Sequence, residues 1–156
     1  MIIQLTAHPT FPKLESRHPD VRWFNWAMGP IQGKSNGHLS GEHLKLFLAQ
    51  LPPELLAINY DPSFSRYLVP ANVHYAISPW YQSMLFKLES KGGRYEKENG
   101  DVVQLEQGHY YLVDLTDRFR FIDVDPVEYL GVKFKTSYED VIAICQTLGY
   151  ITSEQV

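Results

Sequence analysis

Cysteine occurs once in the 156-residue chain, at Cys145. That excludes an intramolecular disulfide and a zinc cage of thiolates. There is no basic block either: Lys and Arg are scattered and the net charge is −4. Acid concentrates in the C-terminal half at Asp114, Asp117, Asp123, Asp125 and Glu128. A nucleic-acid binder clusters Lys and Arg on one face to displace phosphate counterions, so this chain alone is not expected to bind nucleic acid. No apolar run approaches the ~20 residues of a membrane span, and "MIIQLTAHPT" has neither the basic start nor the apolar stretch of a signal peptide. No membrane partner is expected, and a cytoplasmic location follows by default. No G-x-S-x-G elbow exists to expose a nucleophilic serine.

What is present is aromatic. Ten Tyr, eight Phe and three Trp stand in a chain that is 44% apolar and 21% charged, an ordinary balance for one soluble domain. Such rings favour strands, and they also line pockets for flat or greasy ligands.

Along the chain, residues 1–40 read as an irregular segment. Residues 2–6 suit a short strand, "HPTFPKLESRHPD" reads as loop, and "VRWFNWAM" (21–28) suits a strand or packed edge. The stretch "GPIQGKSNG" (29–37) reads as an exposed turn or mobile loop. A helix is expected over 41–51, capped by Ser40, with Leu44, Phe47, Leu48 and Leu51 on one face and Pro52-Pro53 ending it. Short strands follow near 66–69, 72–78, 82–89, 93–97, 101–105, 109–115, 118–123 and 127–135, a β-barrel region spanning about 66–135. Asn99-Gly100 signals a hairpin whose two central residues would both take positive φ. Alternation puts Leu130, Val132 and Phe134 on one face, with Phe119 and Phe121 on another inward face. A last helix is expected over 138–148, with Ser137 and Asp140 as a capping-box pair. Gly149 stops it, and Cys145 lies on its apolar stripe as a small buried hydrophobe.

Gly33-Lys34-Ser35 ends like a phosphate-binding loop, but the motif fails on three counts. Pro30, Ile31 and Gln32 supply three residues where the loop needs four, Pro30 removes a backbone donor, and "SNGHLSG" separates the motif from the next helix. The six histidines show no ligand spacing: His38 and His43 straddle a helix start, His8 and His18 lie in the proline-rich segment, and His74 and His109 sit singly on expected strands. No cofactor and no metal site are expected.

The order of segments from Met84 to Phe134, "MLFKLESKGGRYEKENGDVVQLEQGHYYLVDLTDRFRFIDVDPVEYLGVKF", resembles the cupin fold, a barrel of two antiparallel sheets. More narrowly it looks like the N-terminal effector-sensing domain of AraC-type transcription regulators, with "LEQGHYYLVDLTDRFRFI" similar to a segment of those domains. The resemblance implies a mainly β (α+β), cupin-like antiparallel β-barrel or jelly roll with two flanking helices in a single domain over 1–156. Metal-binding cupins carry a His-x-His, a following Glu and a later His, and that set is absent here, so the resemblance implies a barrel without a catalytic metal.

Three functions follow. The first is a small-molecule-binding barrel, a sensor or carrier, taking a small apolar or aromatic and possibly anionic ligand. Its expected contacts are His74, Tyr75, Trp80, Phe86, Tyr95, Tyr111 and Phe119, with Arg94 or Arg120 for an anion. A lid role for "GPIQGKSNG" goes with that reading. The second is an acidic protein–protein interaction module such as an inhibitor or immunity protein, with tyrosines as anchors and a homodimer as a further option. The third is a cupin-type isomerase or lyase working through His74 and a nearby carboxylate or tyrosine. No catalytic residue is assigned.

Overall fold

The computed structural model describes residues 1–25, 34–68, 70–71, 73–76 and 80–156. Among these residues, ten strands are laid down in chain order: β1 (Ile2–Gln4), β2 (Val21–Asn25), β3 (Lys34–Leu39), β4 (Tyr60–Tyr67), β5 (Ser83–Leu88), β6 (Gly92–Lys97), β7 (Val102–Glu106), β8 (Tyr110–Asp114), β9 (Phe119–Phe121) and β10 (Val127–Phe134). Helices α1 (Gly41–Gln50) and α2 (Pro53–Leu56) lie between β3 and β4, and α3 (Tyr138–Thr147) follows β10. Seven strands form an antiparallel sheet in the order β1-β8-β5-β10-β4-β3-β2, and β7-β6-β9 form a second, smaller one. A bridge from Tyr75 to Phe119 extends the small sheet beyond β9.

Strand β10 shows how the sequence builds two cores. Its side chains alternate, so Leu130, Val132 and Phe134 face the helices while Val127 and Tyr129 face the small sheet. The helix side buries Phe11, Leu14, Phe47, Leu55, Tyr138, Val141 and Cys145 against Leu85, Leu112 and Leu130. The inner side packs Tyr67, Phe86, Tyr111 and Tyr129 of the large sheet against Tyr95, Leu105, Phe119 and Phe121 of the small one. Each fully buried Leu or Phe contributes on the order of 1.5–3 kcal/mol, and the two layers together hold the large sheet from both faces. Gly131 is fixed by this packing: a Cβ there would sit 2.9 Å from Phe86 Cβ and 3.1 Å from the Leu85 carbonyl oxygen.

Several local expectations need correcting. "KSNGHL", read as the end of a loop, is strand β3, and its pairing with β2 and β4 supplies the backbone bonds that its composition does not advertise. Residues 26–33 of the preceding stretch, and with them most of the lid reading, lie outside the described residues. Pro53 starts α2 instead of only ending α1, because its missing N–H is no loss at the first helical position. Strand β4 begins at Tyr60, upstream of the expected 66. Pro62 is tolerated there because β3 pairing stops at Ser63, leaving Pro62 on a locally open edge. At the Asn99-Gly100 turn only Gly100 takes positive φ (94°). The Gly100 N–H donates to the Lys97 carbonyl and the Lys97 N–H donates to the Asp101 carbonyl, a three-residue hairpin loop in place of a two-residue turn. The strand expected over 72–78 reduces, among the described residues, to the Tyr75 bridge.

The C-terminal helix follows its signals closely. Ser137 Oγ accepts from the Asp140 N–H at 3.2 Å, and Gly149 takes φ 78° just past the helix end. Burial pushes the Cys145 thiol up to about 12.

Candidate functional site

The barrel interior has a polar floor. On the inner face of the large sheet, register aligns Lys34 with Tyr67, Asn36 with Ser65 and His38 with Ser63 across β3 and β4. Across β4 and β10 it aligns Tyr67 with Val127, Ser65 with Tyr129, Ser63 with Gly131 and Asp61 with Lys133. One face therefore changes from an aromatic end to a polar strip of Asn36, Ser63 and Ser65, with lysines contributed by β3 and β10.

Both lysines are buried, Lys34 at 6% and Lys133 at 7% exposure. Lys34 Nζ lies over the Tyr67 ring at 5.4 Å from its centroid, and Lys133 Nζ over the Tyr81 ring at 5.9 Å. No hydrogen bond or ion pair from the described residues reaches either Nζ. Burial drives the Lys34 ammonium well below its usual range, and the charge of Lys133 pushes the same way. Burial also lowers Lys133, while Asp61 offsets part of that. A cation–π contact is worth roughly 2 kcal/mol when desolvated, which does not replace the hydration of an ammonium. Ser63 Oγ, on the floor opposite Gly131, is buried without a hydrogen-bond partner among the described residues. Ser65 Oγ donates to Asn36 Oδ1 at 3.0 Å, which fixes that amide across the strands.

The phenols at the boundary stay neutral. Tyr67 and Tyr129 hydroxyls lie 3.3 Å apart, and burial raises both, as it raises Tyr75. Protonated phenols can donate to an anion but cannot themselves neutralise the lysines. Two ammonium groups repel a metal cation, so the donor set of this floor suits an anion.

Of the expected contacts, the structure brings Tyr75, Phe86, Tyr95, Tyr111 and Phe119 together in the inner cluster. There their rings meet one another: Tyr95 stacks on Phe119 at 4.5 Å, and Phe86 meets Tyr111 at 5.5 Å. Trp80 is 73% exposed. Arg94 and Arg120 alternate with inward residues, so they lie on the outer face of the small sheet. Arg94 Nε is 3.4 Å from Asp123 Oδ1, and Arg120 Nε donates to Glu96 Oε1 at 2.8 Å. His74 joins the second pair, with Nε2 3.0 Å from Glu96 Oε1. Among the described residues the inward cations are Lys34 and Lys133, which sequence reasoning passed over. Lys133 carried a signal, since it falls four residues after Tyr129 and so on the same face of β10. Lys34 was hidden by the misreading of β3.

No family model matches the chain, and no curated protein is significantly similar in sequence. Solved structures do resemble it. HutD from Pseudomonas fluorescens matches with a TM-score of 0.51 at 11% identity, over 74% of this chain and 56% of that one. The polyketide cyclase RemF from Streptomyces resistomycificus matches with a TM-score of 0.51 at 8% identity, over 79% and 80%. A conserved protein of unknown function from Pseudomonas aeruginosa matches with a TM-score of 0.50 at 11% identity, over 86% and 56%. The chain thus spans about half the length of HutD. At these identities the likeness is one of fold: the protein has a cupin-like, jelly-roll architecture. Among the described residues no helix is long and apolar enough to cross a membrane.

Proposed function

We propose that the protein binds a small anionic ligand, flat or apolar in its remainder, at the polar end of the barrel. A sensor of the AraC-domain kind and a carrier share this step. The observation that supports it is the pair of buried ammonium groups, Lys34 and Lys133, which no carboxylate of the described residues neutralises within 4.0 Å. A carboxylate or phosphate ester entering the barrel would restore a charge partner to both and offer Ser63 Oγ an acceptor. Charge-assisted bonds of this kind are about twice as strong as neutral ones. The tyrosine rings beside the lysines would take the apolar part of the ligand.

Native mass spectrometry of untagged protein, before and after denaturation, tests the reading. The expected result is an acidic small molecule that leaves on denaturation and is missing from Lys34→Met and Lys133→Met. A bare wild-type protein whose melting temperature is also unmoved by benzoate and phenyl phosphate overturns it.

A further inference from the structure

A second site lies outside the barrel, where the proline-rich segment folds back onto the start of α1. His43 Nδ1 is 2.8 Å from Asp20 Oδ2, and His18 Nδ1 is 3.9 Å from the same oxygen. The two imidazole centroids are 4.1 Å apart. One ligating atom from each of the three residues falls within 4.8 Å of the others. We propose that His18, Asp20 and His43 form a binding site for a zinc-type divalent cation with one open coordination position.

The geometry carries this. With metal–ligand bonds of 2.0–2.2 Å in a tetrahedron, ligating atoms sit roughly 3.3–3.6 Å apart. The separations to Asp20, 2.8 and 3.9 Å, bracket that spacing, and one nitrogen of each imidazole lies within 4.8 Å of the other. Two neutral imidazoles and one carboxylate are ligands that zinc, cobalt and nickel accept. The carboxylate is ionised: its hydrogen bonds from His43, opposed in part by desolvation, hold Asp20 below the usual range.

Helix capping accounts for only part of the arrangement. Asp20 Oδ2 accepts from the His43 backbone N–H at 3.2 Å, and the Ser40 N–H donates to the Asp20 carbonyl at 2.8 Å. Gly41, at φ 60°, leaves room for that carboxylate, because a Cβ there would sit 2.7 Å from Asp20 Oδ1. A cap needs the carboxylate and the glycine, but neither imidazole. His18 Nδ1 now accepts from the Asp20 N–H at 3.0 Å, a bond that a metal at this nitrogen would replace. His18 also borders an open depression of ≈ 380 Å³ lined by Lys13, Glu15 and Arg17. The site therefore borders open solvent, beside the Lys13, Glu15 and Arg17 side chains.

The test uses untagged full-length protein, stripped with a chelator and titrated with zinc by calorimetry and with cobalt by visible absorption. One tight zinc equivalent and a tetrahedral cobalt band are expected. His18→Ala and His43→Ala should each weaken zinc about tenfold or more, while His109→Ala, whose imidazole meets Gln4 and Glu106 instead, should bind like wild type. Failure of wild type to bind one equivalent overturns the proposal, as does unchanged affinity in His18→Ala. That variant removes no capping group, so circular dichroism should show it folded even where His43→Ala is not. This outcome is separate from the barrel reading, which involves none of these residues.

Discussion

Replacing Lys34 by methionine should make the protein more stable. The substitution keeps an unbranched stem over Tyr67 and removes the buried ammonium. Burial holds the folded Lys34 ammonium well below its ordinary 10.5, so keeping that group inside costs stability wherever the unfolded lysine would carry its proton. Allowing for the lost cation–π contact, we expect Lys34→Met to gain about 1–4 kcal/mol at pH 7. The sign of the pH dependence follows from the same shift. The folded value lies below the unfolded one, so the unfolded chain holds more protons in the window between them. Wild-type stability therefore climbs as pH rises from the folded value toward 10.5, and the variant lacks that climb. Urea melts of both ligand-free proteins at pH 7, 8, 9 and 10 should show the advantage of the variant shrinking step by step. A variant less stable at pH 7, or an advantage that does not change with pH, would refute the reasoning and mean that the ammonium is satisfied where it lies. A stability cost kept at this position is what a binding site demands and a core does not.

Gly131→Ala should lose about 1–3 kcal/mol, because its Cβ meets Phe86 Cβ and the Leu85 carbonyl across the β10–β5 pair and neither can yield freely; an unchanged melting temperature would contradict this. Tyr110→Phe should cost roughly 1–3 kcal/mol, since the buried Phe11 N–H now donates to the Tyr110 hydroxyl at 2.7 Å and would lose its acceptor. A denaturant titration that superimposes on wild type would count against it. Cys145, buried and with its thiol raised to about 12, should react with an aromatic disulfide reagent only on unfolding. Rapid release of the chromophore from native protein would show that the helix exposes it.

The limits of the sequence lie in pairing and in long-range contact. Alternation in "VEYLGVKF" already separates the two cores, and Ser137 with Gly149 already brackets α3, because those signals act within a few residues. Strand β3 has no such local signal. Gly, Ser, Asn and Lys argue for a turn, and only the ladder to β4 makes them a strand, the usual way tertiary context overrides β-propensity. The two arginines lie outward for a reason the chain does show. In "GGRYEK" and "FRF" an inward Tyr95, Phe119 and Phe121 already place Arg94 and Arg120 outward, so alternation argued against them as barrel cations. The same rule placed Lys133 inward with Tyr129. For His18, Asp20 and His43 no local rule applies at all, because the carboxylate and the second imidazole meet across 23 residues. Their convergence depends on the proline-rich segment folding onto α1. A site built by such a contact must be found in space, whereas a site built by strand alternation can be read from the chain once its register is known.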